Sequence, residues 1–361
     1  MDIFAASLCL LVMLIAIYIL AIITDEYFIP SLDRISELLD IPANVAGASL
    51  MAMGSSAPEL AIALAALFRG NGEHSDVGIG TIVGSAVFNI LVITGASALV
   101  RPAVITLSVV IRDCLIYVTS IALLLFTFSD GIVRIWEALL LLSLYGFYLM
   151  ILFKWNAWFP ELIKVAPPVE DSPPPLVASS TRSPVTRINQ GLIRALGFFA
   201  GTVEQSYWRV FAVSIAVIIG LSWILVESVI IFGDATAIPP VIVALTLLAA
   251  GTSAPDMISS VVVARQGRGD MAVANAVGSN IFDILVGLGL PWLLVMGLGF
   301  VTGGPTFVEV GTGDLINSTL VLLGTVFILF VFLYTERTLS RIEGGILLLL
   351  YVVYVVWIWL G

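Results

Sequence analysis

Gly251-Thr252-Ser253-Ala254-Pro255-Asp256 lies inside an apolar run of membrane-spanning length, Val241 to Ala264. A carboxylate inside a bilayer is costly, and such a residue is a functional-site hypothesis by default. Proline in a spanning helix donates no backbone N–H and clashes with the carbonyl four residues back. Pro255 therefore frees or distorts the Gly251 carbonyl, just over one turn before Asp256. Free carbonyls, a hydroxyl and a carboxylate on one broken turn make an oxygen-rich cation site.

The stretch has an echo, Gly54-Ser55-Ser56-Ala57-Pro58-Glu59, inside the run Asn44 to Phe68. Downstream, Gly84-Ser85-Ala86-Val87-Phe88-Asn89-Ile90-Leu91-Val92 reads against Gly278-Ser279-Asn280-Ile281-Phe282-Asp283-Ile284-Leu285-Val286, with six of nine positions identical. Upstream, Ile41-Pro42 matches Ile238-Pro239 at the same distance from the motif. Two copies of one membrane unit with acids at mid-span are the pattern of a secondary transporter. Close helix packing alone would account for the Gly, Ser and Ala residues. It would not account for Glu59, Asp256 and Asp283.

Composition agrees. The chain has 361 residues, 60% hydrophobic and 11% charged, with a mean hydropathy of +1.12, far from a soluble globular average. Cys9 and Cys114 both fall in apolar runs, so no disulfide framework or metal cluster can be built from them. His74 falls in an expected loop. The net charge of −10, with few and scattered basic residues, argues against nucleic-acid binding.

Working outward, ten spans are expected: Ile3 to Ile23, Asn44 to Phe68, Val77 to Leu99, Leu107 to Phe128, Ile135 to Phe153, Trp208 to Phe232, Val241 to Ala264, Met271 to Leu298, Leu315 to Tyr334 and Ile346 to Leu360. The first lacks a basic leading region and a small-residue cleavage site, so it reads as retained. Asp25-Glu26-Tyr27-Phe28 closes it, and the chain to Asp40, which alternates charged and apolar residues, reads as a helical extension along the interface. The expected fold class is an all-α integral membrane protein of about ten transmembrane helices in two inverted five-helix repeats. Residues 1–153 form the first half, with its repeat at 41–99. Residues 208–361 form the second, with its repeat at 238–298. Residues 154–207 carry Pro167-Pro168, Pro173-Pro174-Pro175 and several Ser and Thr, a composition that reads as a flexible linker. With the linker cytoplasmic, 13 of the 15 basic residues fall on the inner side and only Arg69 and Arg134 on the other. The positive-inside rule then orients the chain, with both termini outside. The expected location is a plasma membrane or bacterial inner membrane.

On a helix, residues four apart share a face. Ser55 with Glu59, Thr252 with Asp256, Ser85 with Asn89 and Ser279 with Asp283 thus point hydroxyls, an amide and carboxylates at one mid-membrane point. Calcium takes six to eight oxygen ligands at about 2.3–2.6 Å. The cluster lacks His and thiolate, which argues against zinc or copper. Glu59, Asp256 and Asp283 supply three negative charges, so one divalent ion leaves room for a monovalent one. No basic residue lies in the middle of any expected span to neutralise them.

The paired motifs, G-[ST]-S-x-P-[ED] followed by G-S-x-x-x-[ND], resemble those of the cation/calcium exchanger superfamily. The resemblance covers about Asp25 to Phe153 and Trp208 to Leu360. It is strongest toward the potassium-dependent sodium/calcium exchangers, carried by the stretches Asp25 to Pro30, Ala52 to Leu60, Ala264 to Val273 and Ser279 to Trp292. That resemblance implies a sodium/calcium antiporter that moves potassium with calcium and needs no organic cofactor. Its partners are inorganic cations and the lipid bilayer. It implies that Glu59 and Asp256 are the central calcium ligands, shared with sodium, and that Asn89 and Asp283 complete the ring, Asp283 being tied to potassium. Ser55, Thr252, Ser85, Ser279 and the carbonyls near Ala52 and Ala249 correspond to outer sodium ligands. An acid at the Asp283 position also occurs in relatives that do not use potassium. The short linker leaves no room for the large calcium-sensing domains of some animal exchangers. Other readings are a calcium/proton antiporter of the same fold, a sodium/calcium exchanger without potassium, a channel, and an intramembrane aspartyl protease with Gly267-Arg268-Gly269-Asp270 as its G-x-G-D turn.

Overall fold

Backbone groups at membrane depth must bond within their own segment, which makes a helix of each apolar run. In the computed structural model, which describes residues 3–39, 50, 52–104, 107–158, 197, 201–267, 269–336 and 338–360, the described parts of those runs are helices. Helix α1 is Ile3–Leu38, α2 comes as Ala52–Ser55 and Ala57–Phe68, and α3 is Ser75–Val100. Helices α4, Leu107–Phe128, and α5, Ile135–Trp158, complete the first half. In the second half, α6 is Val203–Thr236, α7 comes as Pro240–Thr252 and Ala254–Arg265, and α8 is 269–302. Helices α9, Thr312–Glu336, and α10, Arg341–Leu360, end the fold. The chain is an all-α integral membrane protein. Among the described residues, eight helices are long and apolar enough to cross a membrane, nine if the two bent pieces of α7 are one span. The expected second span begins outside the described residues, as do Ile41-Pro42 and most of the linker.

Helix α1 continues past Asp25 and Glu26 to Leu38. The reason is local. Thr24–Phe28 is a π-helical turn in which the Ile29 N–H reaches back to the Thr24 carbonyl. The wider turn absorbs Pro30, which begins the next helical stretch without needing a donor.

The connections close at two ends. Strand β1, Ala103–Val104, pairs antiparallel with β4, Thr338–Leu339. Arg101 Nη1 reaches the Arg265 carbonyl at 3.4 Å at the same end. Strand β2, Ile132–Arg134, pairs antiparallel with β3, Phe307–Glu309. Ser75 Oγ donates to the Glu309 carbonyl at 2.7 Å, and Arg69 clamps Glu227 through two bonds of 2.7 and 3.0 Å. The 22-residue α4 separates the two ribbons by about 33 Å at the usual helical rise.

Around the middle, α3 is the axis. Its window of membrane-spanning length is wholly buried, while α1 and α10 turn Leu11, Leu14, Val352 and Val356 outward, as lipid contact requires. Helix α3 packs on α2, α7, α8 and α10, and α1 packs on α6. Glycine permits the closest of these approaches: a Cβ on Gly84 would fall on the Leu245 carbonyl of α7, so the helices touch backbone to backbone.

Candidate cation site

The motif pair breaks its two helices in the same way. Ser56 (φ −89°, ψ 5°) interrupts α2 and Ser253 (φ −86°, ψ −3°) interrupts α7. The two pieces of α7 are bent by 44°. Pro58 and Pro255 follow two residues later, and without their N–H groups the Gly54 and Gly251 carbonyls lose their ordinary helical donors. The other motif pair is distorted alike: Asn89 opens the π turn Asn89–Ile93 and Asp283 opens Asp283–Leu288. Single π turns are frequent at functional sites.

Glu59, 3% exposed, and Asp283, 1% exposed, are buried beside these breaks. Asn89, also buried, donates from Nδ2 to Asn280 Oδ1 at 2.8 Å. Ser85 and Ser253 share a 2.8 Å hydrogen bond. Three acceptor oxygens are buried without a partner: Glu59 Oε2, Asn89 Oδ1 and Asp283 Oδ1. Buried acceptors of this kind are rare in folded proteins and call for an explanation, an ion among them. An ion with an oxygen-rich shell fits all three.

The remaining residues divide. Asp256 is half-buried and lines a small cavity with Ser55 and Thr252. Ser279 turns back on its own helix, donating to the Asn275 carbonyl at 2.8 Å. With Ala52, it lines a second and larger cavity of about 440 Å³ that runs out past Asn275 to Arg112 and Asp113. The Ala52 carbonyl accepts Ser56 N–H at 3.0 Å and Ser55 Oγ at 3.3 Å. The Ala249 carbonyl accepts Ser253 N–H at 3.1 Å and Thr252 Oγ1 at 3.2 Å. Both carbonyls are thus saturated, and an ion reaching either must displace a hydroxyl. Among the described residues, no three Asp, Glu, His or Cys side chains gather into a compact metal cluster.

Four participants carried weak signals or none in the sequence. Ser56 and Ser253 sit inside the quoted motifs but off the four-residue spacing. Asn280 donates to the Ala86 carbonyl at 3.1 Å and the Tyr117 hydroxyl at 2.9 Å while accepting from Asn89. Nothing in the local sequence points to Tyr117.

A sequence model described as sodium/calcium exchanger protein matches residues 9–154 and 206–360. Sodium/potassium/calcium exchanger 5 of Homo sapiens is 34% identical, over 92% of this chain and 79% of that protein. Sodium/potassium/calcium exchanger 4 of Mus musculus is 30% identical, over 93% and 78%. In fold, the chain resembles the sodium-calcium exchanger NCX_Mj, with a TM-score of 0.55 at 21% identity over 99% of both chains. It also resembles the H+/Ca2+ exchanger CAX, with a TM-score of 0.66 at 13% identity over 98% and 82%. With most of its length matched and its paired motifs in place, the chain belongs to the sodium/calcium exchanger family.

Proposed function

We propose that the chain is a secondary antiporter that exchanges sodium for calcium by alternating access, with potassium moving alongside calcium. The observation that carries this reading is the set of three unpartnered buried oxygens, Glu59 Oε2, Asn89 Oδ1 and Asp283 Oδ1, from both halves of the chain. With Asp256 they form the ligand ring for calcium and potassium. Ser55, Thr252, Ser85, Ser279 and the Ala52 and Ala249 carbonyls serve sodium as the hydroxyls turn. The three carboxylates carry −3 and calcium with potassium +3, so a filled site crosses the low-dielectric interior at little electrostatic cost. The relatives' names, sodium/potassium/calcium exchangers, favour the same ions. The family match runs through the Gly267–Asp270 turn, so the protease alternative falls away.

Alternating access is supported by an asymmetry between equivalent residues. Gly84 is sealed against Leu245, whereas its counterpart Gly278 has nothing within 4 Å of a built Cβ and faces the 440 Å³ cavity. One half is closed where the other is open, as two inverted copies of one unit would be in a single state. The open side carries Arg112 and so faces the cytoplasm in the orientation drawn from the basic residues, with the linker inside and both termini outside.

The deciding experiment is calcium flux in proteoliposomes under imposed sodium, potassium or proton gradients. Sodium-driven uptake supports the proposal. Uptake driven by a pH gradient without sodium replaces it with calcium/proton antiport, and flux without any counter-gradient coupling replaces it with a channel.

A further inference from the structure

The π turn of α1 carries two oxygen-bearing side chains that the exchange site does not use. Thr24 is 5% exposed and its Oγ1 has no partner. Asp25, the next residue, is exposed. Both line the small cavity whose other polar walls are Ser55, Thr252 and Asp256. Its volume is about 10 Å³, counted at the centre of a water-sized sphere, which is room for one water or one bare cation. None of the residues lining it is basic. Helix α1 is pressed directly on the broken turn of α7, where a Cβ on Gly251 would meet Ile17 Cδ1 at 2.5 Å. The cavity therefore spans from an exposed carboxylate, past an orphaned hydroxyl, to the half-buried Asp256.

We infer that Thr24 and Asp25 form an admission site for a metal cation, calcium or sodium, between solvent and the Glu59–Asp256 centre. The inference rests on the exchange reading above and adds a station to it. A carboxylate at a narrow mouth with low-dielectric walls concentrates counter-ions and speeds their arrival. The Thr24 hydroxyl supplies an acceptor inside the mouth, where a cation has begun to shed water. The π turn is what makes both available: widening the helix by one residue turns Thr24 and Asp25 toward α7 while the chain runs on to Leu38.

The test measures the apparent KM for calcium separately at the two membrane faces, with full-length protein in oriented vesicles. Asp25→Asn should raise KM about tenfold at the face of the Thr24–Phe28 turn, leave kcat within about twofold, and leave the opposite face unchanged. Asp25→Glu should keep KM near the wild-type value. Raised ionic strength with choline chloride should narrow the gap between wild type and Asp25→Asn. Thr24→Val, which swaps one oxygen for a methyl group, should raise KM about threefold at the same face and reads the site even if Asp25→Asn fails to reach the membrane. Unchanged KM at that face in both variants overturns the admission site alone. Equal loss of kcat at both faces overturns it too, because the turn is then structural. Wild-type vesicles that move no calcium overturn the exchange reading and this inference with it.

Discussion

The Ser85 and Ser253 hydroxyls lie 2.8 Å apart, joining α3 of one half to the broken turn of the other. Their counterparts by repeat, Ser279 and Ser56, do not make the same bond: Ser279 donates to its own helix. In an inverted pair the two arrangements trade places when the site turns to the opposite face. Cysteines at Ser85 and Ser253 should therefore cross-link in the present state, and cysteines at Ser56 and Ser279 in the opposite one. The background thiols Cys9 and Cys114 are both buried and would first be replaced. Each cross-link should arrest calcium flux, with recovery on reduction. Undiminished flux after complete Ser56–Ser279 cross-linking would remove the exchange of roles between the halves.

Glu59→Gln or Asp256→Asn should abolish calcium transport in protein that still folds and elutes as wild type. Either change removes an ionic ligand at a site where water cannot make up the loss. A cost of about 3 kcal/mol, within the range for bonds to charged groups, corresponds to more than a hundredfold in flux at limiting calcium. Wild-type flux from either variant would exclude that residue as an essential ligand.

Gly84 and Gly278 provide a paired test of which side is closed. Gly84→Ala places a methyl on the Leu245 carbonyl and should destabilise the protein by roughly 1–3 kcal/mol, as overpacking does. Gly278→Ala meets open space and should change thermal stability by less than about 0.5 kcal/mol. It should still slow turnover, because Gly278 must close against α2 when the site reverses. Thermal unfolding in detergent and flux in vesicles read the two effects apart. Equal destabilisation by both substitutions would deny the asymmetry.

Much of this was legible in the residues. Pro58 and Pro255 mark the helix breaks because proline cannot donate, and the structure breaks there, at Ser56 and Ser253. The pairing of Asn89 with Asp283 in sequence reappears as two π turns at equivalent places. What the sequence hid are relations set by contact across the bundle. Spacing by fours identified residues on a common helical face but not the bond across the bundle that joins Ser85 to Ser253, which are distant in sequence. The π turn at Thr24–Phe28 leaves no trace in hydropathy. Tyr117 reads as one more aromatic in an apolar run until Asn280 is seen to bond it.

Orientation is open to direct labelling. Cysteines at Ser172, in the linker outside the described residues, and at Gly311, beside β3, should react from opposite faces, with Ser172 cytoplasmic. The expectation follows from the division of basic residues, 13 against 2. The two on the sparse side are each paired with an acid, Arg69 with Glu227 and Arg134 with Asp130. Labelling of both cysteines from one face would break the inverted arrangement.

Asp283 separates the potassium-coupled reaction from its neighbours. It is buried and its Oδ1 has no partner, so it has both the charge and a free acceptor that a second cation needs. Asp283→Asn lowers the charge of the site from −3 to −2, which calcium alone balances. The variant should then exchange sodium for calcium with weakened dependence on potassium. A plain calcium ligand behaves differently: its loss would cost calcium affinity at every potassium concentration. The measurement is sodium-driven calcium uptake with potassium varied and lithium or choline as replacement. Full wild-type uptake without potassium would end the potassium assignment and leave sodium/calcium exchange standing. Parallel loss of uptake by the variant at low and high potassium would keep Asp283 in the ring but move it from the potassium ion to calcium, because only a ligand of the shared ion is felt equally at both.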